Sequence, residues 1–247
     1  MAIELFHNHK STCSQKVRLC LAEKDLPWAN RHIDIGKEEN LTPEFLAINP
    51  NGVVPALRHN GRNVIESSVI VEYLDEVFSS GASLTPEDPV DRANMRAWMR
   101  FIDEVPSMAV RVPSFQLVIK KRFDNMTEEE YQDFVHRNPV RNDFFRRLGR
   151  TGFSDAEYEE ALERLRRTFQ RMEDALQEHD WICGPDYTLA EICLIPTFQR
   201  LEDLGLGDMW TPYPIVTTWF ERTRERPSYG AAYYSGSKLF DEDIEES

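Results

Sequence analysis

The sequence predicts an α/β unit followed by an all-α unit. Three observations carry that prediction. Over residues 1–80, short apolar runs of strand type alternate with segments of helical period. A stretch rich in Ser, Gly and Pro, "SSGASLTPEDPVD", follows and reads as a linker, placed at 81–89. Beyond it, residues 90–235 carry only helix-period patterns, ending in an acidic tail at 236–247.

The elements follow in order. "IELF" is a compact apolar run and a first strand. A helix is expected over 14–24, because Val17, Cys20, Leu21 and Lys24 share one face, with Lys24 contributing only its methylene stem. Ser11 or Thr12 is placed to cap it through a hydroxyl oxygen. "ANRHIDI" alternates as a half-buried strand at 29–35, and a strand–helix–strand order of this length implies a parallel pair with a right-handed crossover. In "TPEFLAIN", Thr-Pro starts a short helix. Asn60-Gly61 then centres a hairpin, and a helix over 67–78 buries Val69, Ile70, Tyr73, Leu74 and Val77. The first unit is therefore βαβ–ββα, with a short extra helix.

In the second unit, helices are expected over 89–122 (broken near Pro106 and Pro113), 127–137, 154–178, 189–204 and 214–226. "TLAE" has the form of a capping box, in which Thr188 and Glu191 serve each other's backbone amides.

The formal net charge of −14 and a pI of about 4.9 oppose binding to nucleic acid and to anionic membrane surfaces. No apolar run approaches the roughly 18 residues that a membrane span needs. "MAIELFHNHK" lacks the apolar segment behind a basic head that marks an export signal. The four cysteines have neither metal-ligand nor disulfide-scaffold spacing, so reduced thiols in a cytoplasmic protein, and no metal site, are expected.

The βαβ–ββα order, the hydroxyls and thiol of "STCS" after the first strand, "NGVVPAL" before the third and "IESSVIVEYL" opening the next helix together resemble the glutathione transferase superfamily. That resemblance covers essentially the whole chain and implies a thioredoxin-like N-terminal domain with an all-helical C-terminal domain. Within the superfamily the chain is most similar to bacterial glutathione-dependent β-aryl etherases, through "INPNGVVPALRHNG", "RANMRAWMRFIDE" and the insertion "MTEEEYQDFVHRNPVRNDFFRRLGRTGF". It is also similar to dehalogenase-type and maleylacetoacetate isomerase-like members.

The resemblance implies glutathione as co-substrate, a small hydrophobic and aromatic electrophile as acceptor, and a homodimer. It implies a cis bond between Val54 and Pro55, presenting the Val54 backbone to the cysteinyl backbone of glutathione as an added strand does. Ser67, at a helix N-terminus, suits the γ-glutamyl carboxylate, and Glu66 suits the α-ammonium. Lys37 or Arg18 is a candidate for the glycyl carboxylate. Three residues compete to activate the thiol: Ser14 by the etherase pattern, Ser11 by the isomerase-like pattern, and Cys13 by the cysteine-type pattern. A thiol at a helix N-terminus is where a depressed pKa is expected. His7 and His9 flank this stretch as polar neighbours or proton carriers. Trp98, Met99, Phe101, Met108, Phe115, Tyr229, Tyr233 and Tyr234 serve as core or as an acceptor wall.

A glutathione-dependent transferase, possible β-aryl etherase activity included, is the leading expectation. Cysteine-type thiol exchange or reductive dehalogenation through Cys13, and a non-catalytic scaffold, are the alternatives.

Overall fold

The computed structural model describes residues 2–81 and 83–241. Four strands, β1 (Ile3–His7), β2 (Ala29–His32), β3 (Ala56–His59) and β4 (Arg62–Ile65), form one sheet in the order β2-β1-β3-β4. β1 runs parallel to β2 and antiparallel to β3, with Leu5 opposite Asn30 and Leu57. The β3–β4 hairpin turns at Asn60 and Gly61, both at positive φ, as a two-residue turn requires. β2 is shorter than expected and mostly exposed, because it is an edge strand paired only to β1.

Helix α1 (Thr12–Glu23) connects β1 to β2, α2 (Pro43–Leu46) starts at Thr42-Pro43, and α3 (Ser67–Val77) follows the hairpin. The expectation of a single apolar stripe on α1 needs correcting. Residues 14–21 are all buried, since α1 lies between α3, α10 and α12. Its polar side chains are satisfied from inside. Lys16 pairs with Asp103 at 2.7 Å, and the whole Lys24 side chain is buried with its Nζ 2.8 Å from Asp75. Arg18 donates to the carbonyls of His9 and Ala232. On α3 the buried residues are Ile70, Val71 and Leu74, whereas Val69 and Val77 are exposed.

The helical part comprises α4 (Pro89–Glu104), α5 (Pro106–Ala109), α6 (Arg111–Leu117), α7 (Glu128–Arg137), α8 (Asn142–Leu148), α9 (Asp155–Ala175), α10 (Leu189–Asp203), α11 (Pro214–Arg224) and α12 (Pro227–Ala232). The expected break occurs at Pro106. Pro113 instead sits inside the first turn of α6, where its missing N–H would have had no helical partner. The Thr188–Glu191 capping box closes, with Glu191 accepting from the Thr188 amide at 2.9 Å. Helix α8 has no counterpart in the sequence reading.

Ser237, at the start of the expected tail, is buried, and its carbonyl accepts from Gln15 Nε2 at 3.1 Å. Residues 242–247 lie outside the described residues. No helix among the described residues is long and apolar enough to cross a membrane.

Besides the main core, a small cluster around Phe6, Phe45, Val54 and Ala56 underlies the sheet side, and another around Phe115, Phe123, Phe134 and Phe145 underlies α6–α8. Residues of both clusters line the cavity described next.

Candidate active site

Residues 14–21 of α1 are buried, and its N-terminal Thr12 and Cys13 are half-buried. Ser11 caps it, its Oγ accepting from the Ser14 amide at 3.3 Å. The next residues turn about 100° apiece around the helix, so adjacent side chains meet different surroundings. Ser14 turns inward, is fully buried, and its Oγ accepts from the Asn8 amide at 3.4 Å. Cys13 turns outward and lines two adjoining cavities, of about 450 and about 220 Å³. Ser11 and Thr12 line only the larger one, and Ser14 lines neither.

The smaller cavity collects residues that lie far apart in the chain: Cys13, Val54, Pro55, Glu66 and Ser67. Val54-Pro55 is cis. The loop before it is tied down by Asn49 Nδ2, which donates to the Val53 carbonyl at 2.6 Å, and by Asn40 Nδ2, which donates to Gly52 at 2.8 Å. Among the described residues neither the N–H nor the C=O of Val54 has a hydrogen-bond partner, although Val54 is buried. An orphaned backbone pair beside a cavity is an incomplete strand edge, which fits a peptide-like ligand. Glu66 takes a positive φ of 70° at the start of α3, and its Oε1 accepts from Asn51 Nδ2 at 2.9 Å. That turn leaves Ser67 at the open N-terminus of an 11-residue helix.

The electrostatics single out Cys13. Burial favours its neutral form, but the charges of Lys16, Arg111 and Arg141 and a hydrogen bond with Ser67 outweigh that, so its pKa lies below the usual thiol value. Burial pushes the thiols of Cys20 and Cys193 upward instead. Arg111 opens α6, Arg141 immediately precedes α8, and both line both cavities. Burial and the like charge of Arg111 push Arg141 down to about 10.

Neither arginine was anticipated from the sequence. The only available signal was a basic residue next to apolar ones in "AVRVPSF" and in "NPVRNDFF". Nothing in that spacing brings the two together.

Other candidates lie elsewhere. The Lys37 side chain is 79% exposed, pairs with Asp34 at 3.2 Å and lines neither cavity. Arg18 is occupied in the interior, as described above. His7 is buried, and burial together with the charge of Arg18 pushes its pKa down to about 3, so it is neutral at neutral pH. The His9 ring contacts the Tyr234 hydroxyl at 2.5 Å. Of the aromatic and methionine residues considered for an acceptor wall, only Phe115 lines the larger cavity, while Trp98, Met99, Tyr229 and Tyr233 are core.

Comparison with known proteins places this geometry. The glutathione S-transferase N-terminal domain family matches residues 10–77, and the corresponding C-terminal domain family matches 155–222. Protein LigF of Sphingobium sp. (strain NBRC 103272 / SYK-6) is 33% identical over 235 residues, covering 92% of this chain and 91% of LigF. The chain belongs to the glutathione S-transferase family. The crystal structure of the β-etherase LigF superposes with a TM-score of 0.85 at 32% identity, covering 94% of this chain and 99% of that one. Glutathione S-transferase GstB of Escherichia coli (strain K12) is 28% identical, with 92% and 95% covered. As a glutathione S-transferase, the chain has glutathione as its co-substrate.

Proposed function

We propose that this transferase holds glutathione in the smaller cavity with its sulfur beside Cys13, for substitution on an aromatic electrophile that includes β-aryl ethers. The meeting of Val54, Glu66, Ser67 and Cys13 in one cavity carries this reading. The cysteinyl backbone completes the strand edge at Val54. The γ-glutamyl carboxylate takes the N–H groups and hydroxyl at Ser67, and the α-ammonium faces Glu66.

The same cations that depress the Cys13 thiol would depress a second thiol placed beside it. Two adjacent thiolates repel, so the pair shares one negative charge. In this arrangement Cys13 keeps its proton, and its S–H donates a hydrogen bond to the glutathione thiolate. The thiolate then attacks the ether's β-carbon: an S–C bond forms, the bond from that carbon to the aryloxy oxygen breaks, and its electron pair leaves on the phenolate. Val110, Phe115 and Phe145 offer the acceptor an apolar wall. We assign glutathione binding to residues 1–80 and the acceptor to 90–235, in a cytoplasmic homodimer.

The test is retention on immobilised glutathione, conjugation of 1-chloro-2,4-dinitrobenzene, and phenol release from a model β-aryl ether. Phenol release supports the ether substrate. Conjugation without phenol release removes it, and loss of both retention and conjugation removes the glutathione site.

A second reading is favoured by the low pKa and partial exposure of Cys13. There, the Cys13 thiolate attacks the glutathionyl sulfur of a mixed disulfide and expels the other thiolate. A second glutathione thiolate then releases glutathione disulfide and restores Cys13. Replacing Cys13 with Ser abolishes this exchange but leaves a hydrogen-bond donor for substitution.

A further inference from the structure

The larger cavity has a charge that the rest of the chain does not lead one to expect. Lys10, Arg111, Arg122, Arg141 and Arg200 line it, and Asp34 is the single acidic side chain among its lining residues. Asp34 is already engaged by Lys37. In a chain of net charge −14, five cations against one carboxylate is a local reversal.

Their existing partners differ. Arg122 donates to the Ile35 carbonyl at 3.2 Å and lies 3.6 Å from Glu38. Arg200 is buried, donates to the Lys10 carbonyl, and its Nε has no hydrogen-bond partner among the described residues. Lys10 donates to the Asp241 carbonyl at 2.8 Å. Among the described residues Arg111 has one hydrogen bond, to the Met108 sulfur at 3.1 Å. Among the described residues Arg141 has no hydrogen-bond partner, and neither it nor Arg111 has a carboxylate within 4.0 Å. Glu66 is the acid whose charge acts on Arg141, and Glu66 already accepts from Asn51.

Two neighbouring guanidinium groups with no carboxylate in contact among the described residues, in a partly closed cavity, repel each other. Their forked donors match a planar oxyanion. Glutathione brings one thiolate and one glycyl carboxylate beyond the γ-glutamyl end that Glu66 and Ser67 hold. An uncharged acceptor would leave the remaining cations facing Val110, Phe115 and Phe145.

We propose that the acceptor is an aromatic carboxylate, its acidic group held by Arg111 and Arg141 while its ring lies on Phe115 and Val110. This rests on the transferase reading above and narrows its substrate class.

The test compares two acceptors with the same reacting carbon, 4-chloro-3,5-dinitrobenzoate and 4-chloro-3,5-dinitrobenzamide. Each rate is divided by the uncatalysed rate with glutathione. The benzoate should be preferred by about tenfold or more, the scale of a charge-assisted hydrogen bond. Arg111→Gln and Arg141→Gln should bring that ratio towards one, and Arg141→Lys should restore part of it.

A turnover-free arm measures calorimetric binding of 4-nitrobenzoate and 4-nitrobenzamide to the full chain with S-methylglutathione present. The same preference and the same loss on substitution are expected. A ratio near one in the unsubstituted protein, or a preference intact in both glutamine variants, overturns the proposal. So does an effect confined to the KM for glutathione, which would assign the arginines to that ligand. If neither chloro compound is conjugated, the transferase reading fails, and the binding arm still decides whether the cavity prefers the anion.

Discussion

The two cavities meet at Cys13 but are built from different material. The smaller one is walled mainly by the loop and helix start around Val54, Pro55, Glu66 and Ser67, through backbone groups and short side chains. The larger one is shared between the N-terminal part and the helical part, and the helical part adds long cationic and aromatic side chains such as Arg122, Phe134 and Phe145. A backbone edge recognises anything shaped like a peptide, and a side-chain substitution barely alters it. A wall of arginines and phenylalanines takes its selectivity from each side chain in turn. Under the proposed function a division of labour follows: the first cavity fixes the common ligand and the second sets the partner it reacts with.

Substitution at the shared residue should have the largest effect. Cys13→Ala should lower kcat/KM for 1-chloro-2,4-dinitrobenzene by about 100-fold, the scale of losing a donor to a developing or resting anion. Cys13→Ser should retain most of the rate, and Ser14→Ala should change it less than Cys13→Ala. A larger loss at Ser14 would move the sulfur away from the boundary between the cavities. Next in size, Ser67→Ala should raise the Kd of glutathione by about tenfold, as expected for one charge-assisted hydrogen bond. The acceptor KM should stay in place. If both constants rise together, the cavities are not separable sites, and isothermal titration alongside steady-state kinetics checks this.

The elements around the smaller cavity were legible because their determinants are local, while Val54, Pro55, Glu66 and Ser67 came into view as site candidates only through the family resemblance. Asn60-Gly61 specifies a hairpin, a polar residue at the start of a periodic segment marks a helix start at Ser67, and the extended run at Val54-Pro55 precedes a strand. Each is written within a few residues. The larger cavity was not legible, since Arg111 and Arg141 are thirty positions apart and meet only when α6 and α8 pack on one aromatic cluster. Lys37 shows the converse: a cation near the right segment was drawn to Asp34 and solvent rather than to the site.

Which of Cys13 and Ser14 lines the cavities also lay beyond the sequence, because adjacent helical positions face different ways and only packing decides which faces in. The same limit shifted the buried set on α3, where Val71 is buried and Val69 is not. The overall βαβ–ββα order survived these local errors because it depends on the period of each segment rather than on the orientation of any one residue.

The smallest effect expected is a shift in titration, and it asks whether the two cavities share one electrostatic field. Positive charge at Arg111 and Arg141 favours the thiolate of Cys13, which holds the folded-state pKa below the usual thiol value despite burial. Removing either charge as glutamine therefore raises that pKa. At a fixed pH near neutrality the thiolate fraction falls, and Cys13 alkylation by iodoacetamide slows in proportion. The pH–rate profile of alkylation should move to higher pH in Arg111→Gln and in Arg141→Gln. Lys37→Gln should leave it where it is, since that ammonium stands outside both cavities. An unmoved profile in both arginine variants would mean that Lys16 and Ser67 alone hold the thiol down. The arginines would then act on the acceptor without acting on the sulfur, and the boundary between the two cavities would be an electrostatic boundary as well.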